Sequence, residues 1–301
     1  AVHNPAKLKL MDASLRVLTP LERGAALASA LRAVGLRDRA RFLSDLVGGV
    51  AGVGGSPEAQ MASLRLIHVL TGLSGIFVLG ALEWRAFAAR LAVIILSHST
   101  TRRARLLTLS ALSRVTAQAG GIGRLSDPIC ALLDSLVDSI VLIDGRRTQA
   151  SRSPAREGDA QVVSPLSDDV LELGLSLELL ALCLHGNLAA VDYVQQHQGM
   201  DRALQALVHT LEVDAPRTPP PDSLAPRASP TSAASGAEAG VGRLSRFVCA
   251  LACIASLALH APLGEELFSA RNLARIWPHV LSALLPPVDT DSGRQVGGYS
   301  E

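Results

Sequence analysis

The stretch Gly49 to Ser56, GVAGVGGS, has the glycines and the terminal serine of a phosphate-binding loop at the right spacing, with Gly55 in place of the lysine. In such a loop the backbone N–H groups cradle the phosphates, the lysine reaches the outer ones, and a β-strand leads into the glycines. Here the preceding RDRARFLSDLV (37–47) puts Phe42, Leu43, Leu46 and Val47 on one helical side. Downstream, Ser56 can cap a helix, Pro57 suits its first turn, and Glu58 meets the positive end of its dipole. The stretch reads as a connection between two helices, without the charge an ATP site needs.

Other reactive residue types lack a catalytic pattern as well. Cys249 and Cys253 are four residues apart, with His260 two turns on. A zinc site needs a fourth ligand and usually two residues between its thiolates, so these read as core cysteines. Cys130 and Cys183 also lie in apolar runs, and no disulfide framework is apparent. Gly72-Leu73-Ser74-Gly75 breaks the pattern of a nucleophile elbow. His68, His185 and His260 fall in apolar segments and read as hydrogen-bonded structural residues. Asp134 and Asp138 lie one turn apart on the polar side of a helix, where solvation accounts for them. The sequence therefore predicts no enzyme, no cofactor and no metal.

Charge is more informative. Residues 1–150 carry 18 basic and 10 acidic side chains, a net +8, and residues 151–301 carry 10 basic and 17 acidic, a net −7. The run Thr101-Arg102-Arg103-Ala104-Arg105 and the cluster Arg37, Arg39, Arg41 stand in the basic half. Such runs are either solvated faces or docking patches for an acidic peptide, a phosphoprotein or a lipid head group. Nucleic acid is not expected: Lys7 and Lys9 are the only lysines, and aromatics, at 3%, are not interleaved with the arginines.

The elements that must carry these residues are helical. Leu, Ala and Arg dominate and runs of β-branched or aromatic residues are missing, which predicts an all-α chain. Asp127 and Pro128 open a helix through Ile129, Leu132, Leu133, Leu136, Val137, Ile140 and Val141, with Gly145 as its expected end. Asp201 opens another, through Leu204, Leu207, Val208 and Leu211. Residues 171–179 (LELGLSLEL) alternate like a strand, but the LALCL that follows and the scarcity of β-branched residues favour a buried helix. Two Pro/Ser/Gly-rich inserts, 144–166 and 214–242, are predicted to be disordered, as is the tail 286–301. Residues 1–20 form an N-terminal extension without the apolar core of a signal peptide, and the start at Ala1 fits an excised piece of a longer chain.

Four very apolar segments recur, near Ser63 (SLRLIHVLTGLS), Arg105 (RLLTLSALSRVT), Gly174 (GLSLELLALCLHGN) and Phe247 (FVCALACIASLALH). Their spacings are 42, 69 and 73 residues, and the last two become 46 and 44 once inserts of 23 and 29 residues are removed. A unit of this length is in the range of helical solenoid repeats. The stretch NLAAVDYVQQHQGMDRALQALVHTL (187–211) resembles an armadillo repeat: an Asn closing a buried helix, a short helix, a glycine, then an amphipathic helix. QAGGIGRLSDPICALLDSLV (118–137) and APLGEELFSARNLARIWPHVLSALL (261–285) share parts of the pattern.

That resemblance implies an armadillo- or HEAT-like solenoid over residues 21–285, a right-handed α-α superhelix whose groove holds an extended peptide or helix of a partner. It also implies that Asn187 bonds the partner's main chain, while Arg102, Arg103 and Arg105 flank the same groove and attract an acidic peptide. The expected role is a non-enzymatic binding scaffold in the cytoplasm. The competing expectation is a membrane protein with spans at 66–82 and 247–264, which contain no Asp, Glu, Lys or Arg, in a chain of mean hydropathy +0.31.

Overall fold

The computed structural model describes residues 57–72, 81–97, 101–152, 165–215 and 230–258, with isolated positions between 25 and 50 and between 274 and 278. Every regular element among the described residues is an α-helix. Eight are continuous: α1 (Pro57–Thr71), α2 (Ala81–Leu96), α3 (Arg102–Gln118), α4 (Asp127–Arg152), α5 (Pro165–Leu184), α6 (Leu188–Gln195), α7 (Met200–Asp214) and α8 (Pro230–Ala258). Pro57 does open the helix expected after the glycine-rich stretch. Leu46, Val47 and Val50, from the helical residues before it, are buried in the common core, and residues 51–56 lie outside the described residues.

The helices pack in two layers. In the first, α3 lies between α1 and α5, and α5 between α3 and α8. In the second, α4 lies between α2 and α7. The layers are joined by α2 on α3, α4 on α5 and α7 on α8, while short α6 touches α4, α5 and α8. The four recurring apolar segments all fall in the first layer, in α1, α3, α5 and α8. Those of α3, α5 and α8 are covered by neighbours in their own layer and by a helix of the other, and that of α1 by α3, which explains why they are so apolar. Leu109, Leu112, Leu132, Leu136, Leu177 and Phe247 belong to one continuous core. Each such side chain contributes about 1.5–3 kcal/mol on burial.

Residues 171–179 are helical, as the composition suggested, and their alternation reflects a helix buried between α3 and α8. Gly145 does not end α4, which continues to Arg152. Residues 144–152, expected to begin a disordered insert, are thus the last turns of a helix, and residues 230–242 of the second insert open α8. Residues 153–164, 216–229 and all of the expected tail 286–301 lie outside the described residues. The extension of α4 has a tertiary cause: Asp144 is 2.6 Å from His209 of α7, Arg146 is 3.6 Å from Asp169 of α5, and Arg147 is 3.8 Å from Asp214 of α7. These contacts offset the roughly 1 kcal/mol that a helical glycine costs.

No helix among the described residues is long and apolar enough to cross a membrane. The first expected span is divided: α1 ends at Thr71, Gly72 forms a turn, and α2 begins at Ala81. In the second, Phe247, Ala250, Cys253 and Leu257 of α8 are buried against the protein core.

Candidate functional site

The arginines singled out from sequence stand at the start of α3. The Thr101 hydroxyl caps this helix by accepting the Ala104 N–H at 3.3 Å. Arg102 pairs with Asp169 and lies 3.7 Å from Glu172. Arg105 Nε donates to Glu172 Oε1 at 2.8 Å, and its Nη2 donates to the Ser139 and Ser135 hydroxyls at 2.7 and 3.3 Å. Asp169 and Glu172 are buried on α5, so the cluster fastens α3 to α5 and α4. The positive half of the sequence therefore meets the negative half inside the molecule at these residues. Arg103 alone of the three is exposed.

Asn187 is the N-cap of α6. Its Oδ1 accepts the Ala190 N–H at 3.2 Å and its Nδ2 donates to the Gly123 carbonyl at 2.9 Å, tying the α5–α6 corner to the segment before α4. The turn into it needs Gly186, whose φ of +64° would strain any residue with a Cβ. Arg102 and Arg105 contact the first turns of α5, whereas Asn187 follows its last. At 1.5 Å per residue, Glu172 and Leu184 are roughly 18 Å apart along that helix. Asn187 and the arginines thus mark opposite ends of α5 and do not form one constellation.

A different group converges on the second layer. Asp134 and Asp138 lie one turn apart on α4. The Tyr193 hydroxyl of α6 donates to Asp134 Oδ2 at 2.9 Å, and this bond is the main reason its pKa is pushed up to about 12. His197 Nε2 stands 3.7 Å from Asp134 and 3.9 Å from Asp138. The Gly199 N–H donates to His197 Nδ1 at 3.0 Å, so in the neutral ring the proton sits on Nε2, toward the carboxylates. A Cβ at position 199 would lie 3.2 Å from Nδ1, so a larger residue there would push the imidazole aside by a few tenths of an ångström. These residues line an open depression of about 790 Å³, completed by Gln196, Gln198 and Arg202.

The same two aspartates line a second depression, of about 610 Å³, on their other side. Its walls include Ile95 and Leu96 at the end of α2 and Ala131 and Leu142 of α4, with Arg105 and Glu172 also lining it. Leu142 is 61% exposed. Asp134 and Asp138 were legible as a polar i, i+4 pair. Their convergence with Tyr193 and His197, some 60 residues away in sequence, has no local signal.

The first layer carries a row of polar groups. Arg114 Nη1 donates to the His68 carbonyl at 2.8 Å, and Gln118 Nε2 to the Thr71 carbonyl at 3.1 Å. Burial lowers the His68 pKa, and nearby Arg114 lowers it further. Burial raises the Glu178 carboxyl pKa against the opposing pull of Arg114. His185, expected in a structural hydrogen-bonded role, is instead exposed just past α5, and His260 lies outside the described residues. Burial also raises the thiol pKa of Cys183, Cys249 and Cys253, which disfavours the reactive thiolate. Among the described residues no group of three or more His, Cys, Asp and Glu side chains is arranged to hold a metal ion.

The described residues thus form an all-α fold of two helical layers. Comparison with known protein families, with characterised proteins and with solved structures gives no match.

Proposed function

We propose that the chain is a non-enzymatic protein-binding scaffold built as an armadillo- or HEAT-like, right-handed α-solenoid. The observation that carries this reading is the order of the layers: alternate helices of the sequence follow one another in space, with each apolar segment in the first layer. The succession α5, Asn187, short α6, Gly199, α7, α8 follows the order that the armadillo resemblance implies. A stack of this kind offers long ridged surfaces instead of a single cleft, which suits the recognition of an extended segment of another protein. Unpaired thiols at Cys130, Cys183, Cys249 and Cys253 fit a reducing, intracellular setting.

Photo-crosslinking in the native cell tests the reading. A photoreactive residue is placed singly at exposed positions of both layers, Val93 and Leu142 in the second and Leu171 and Val248 in the first. The expected result is a crosslink to one protein partner from positions that share a layer. Crosslinks to lipid alone, or none from any position, contradict a scaffold role.

A further inference from the structure

We infer that the two depressions flanking Asp134 and Asp138 form one docking groove for an extended peptide of a partner protein, with a basic side chain over the aspartates and an aliphatic one against Leu142. The inference rests on the binding reading above and specifies the chemistry of the partner. It reverses the charge expected from the sequence, because Arg102 and Arg105 are paired with Asp169 and Glu172 while the aspartate ridge is not neutralised to the same degree.

Asp138 has a side chain 72% exposed, and the His197 Nε2 that faces it is 3.9 Å away, beyond a normal hydrogen bond. One oxygen of Asp134 accepts from Tyr193, and the other faces His197 at 3.7 Å. A guanidinium or ammonium above this ridge meets two carboxylates one helical turn apart. On one side the ridge falls to Ile95, Leu96, Ala131 and the exposed Leu142, which can seat an aliphatic side chain beside the paired Arg105 and Glu172 and the Ser135 and Ser139 hydroxyls. On the other, Gln196 and Gln198 supply amides that match a peptide main chain, and Arg202 favours an acidic residue at the far end. Two open depressions meeting at shared residues fit an extended chain crossing α4 better than a small ligand, which needs enclosure.

Selection of random peptides displayed on phage against the full chain, followed by anisotropy measurements on the best peptide labelled with fluorescein, tests this. Selected peptides should carry Arg or Lys beside Leu, Ile or Val. Their affinity should fall about tenfold in Asp138→Lys and in Leu142→Asp, with circular dichroism unchanged. Selected peptides that bind both variants as tightly as the wild type would overturn the groove and leave the scaffold reading standing. Failure to select any peptide would count against both. A dimer of the chain that is lost in Asp138→Lys, with no peptide selected, would assign the surface to a second copy and overturn the proposal.

Discussion

Asp214 holds Arg246 through both carboxylate oxygens, Oδ2 at 2.8 Å from Nε and Oδ1 at 3.0 Å from Nη2, and its side chain is only 2% exposed. Arg147 of α4 approaches the same carboxylate at 3.8 Å. One buried carboxylate at the end of α7 therefore joins α4, α7 and α8. Removing it leaves the largely buried Arg246 guanidinium without the carboxylate that holds it and takes a nearby negative charge from Arg147. Asp214→Ala should lower stability by about 3–5 kcal/mol in urea unfolding. A loss below about 1 kcal/mol is what a solvent-screened surface pair would give, and would show that the junction is open to water.

Asn187→Ala removes a helix cap and the bond to the Gly123 carbonyl. The expected loss is about 0.5–2 kcal/mol, read as a lower melting temperature. Asn187→Asp keeps the capping acceptor but not the donor to Gly123, so it should fall between the wild type and the alanine variant. Unchanged melting in Asn187→Ala would refute the structural role.

Much of this fold was legible in the sequence because it depends on local pattern. Helical spacing and the lack of β-branched runs were enough to place α1, α3, α5 and α7, and the apolar segments identified the layer buried on most sides. Helix ends were less legible. Gly145 has the local signature of a stop, yet α4 runs past it because Asp144, Arg146 and Arg147 are held by residues of α5 and α7. Arg102 and Arg105 look like a surface patch in a linear reading, since Asp169 and Glu172 lie 67 residues away in sequence. The aspartate ridge was missed for the same reason: its partners come from α6 and the segment before α7.

Gly145 itself offers a test of that explanation. It lies within the helix, and a Cβ added there would meet nothing within 4 Å. Gly145→Ala should therefore raise stability by about 0.5–1 kcal/mol through better helix propensity and a less flexible unfolded chain. Destabilisation on thermal unfolding would mean that the helix does not run through this position.

Glu178 gives a pH-dependent prediction. Burial raises its pKa in the folded state above the value in the unfolded chain. The folded protein thus binds this proton more tightly, and Glu178 costs stability once the pH exceeds the ordinary carboxylate range near about 4.3. Glu178→Gln should be more stable than the wild type at neutral pH, and the gain should shrink as the pH falls through that range. His68 acts in the opposite direction: its pKa is lowered, so stability falls as the unfolded imidazole takes up a proton below about 6.5. Thermal melts of both proteins across this range decide it, and a variant less stable than the wild type at neutral pH would contradict the burial argument.

The central claim is that a partner binds the second layer through the aspartate ridge, and charge reversal measured by titration calorimetry tests it most directly. The partner segment found by crosslinking is titrated into the wild type, Asp138→Lys and Arg103→Glu at low and raised salt. The account predicts about tenfold weaker binding in Asp138→Lys, an effect that shrinks as salt screens the pair, and unchanged binding in Arg103→Glu. Weaker binding in Arg103→Glu with Asp138→Lys unaffected would place an acidic partner at the start of α3 and contradict the account.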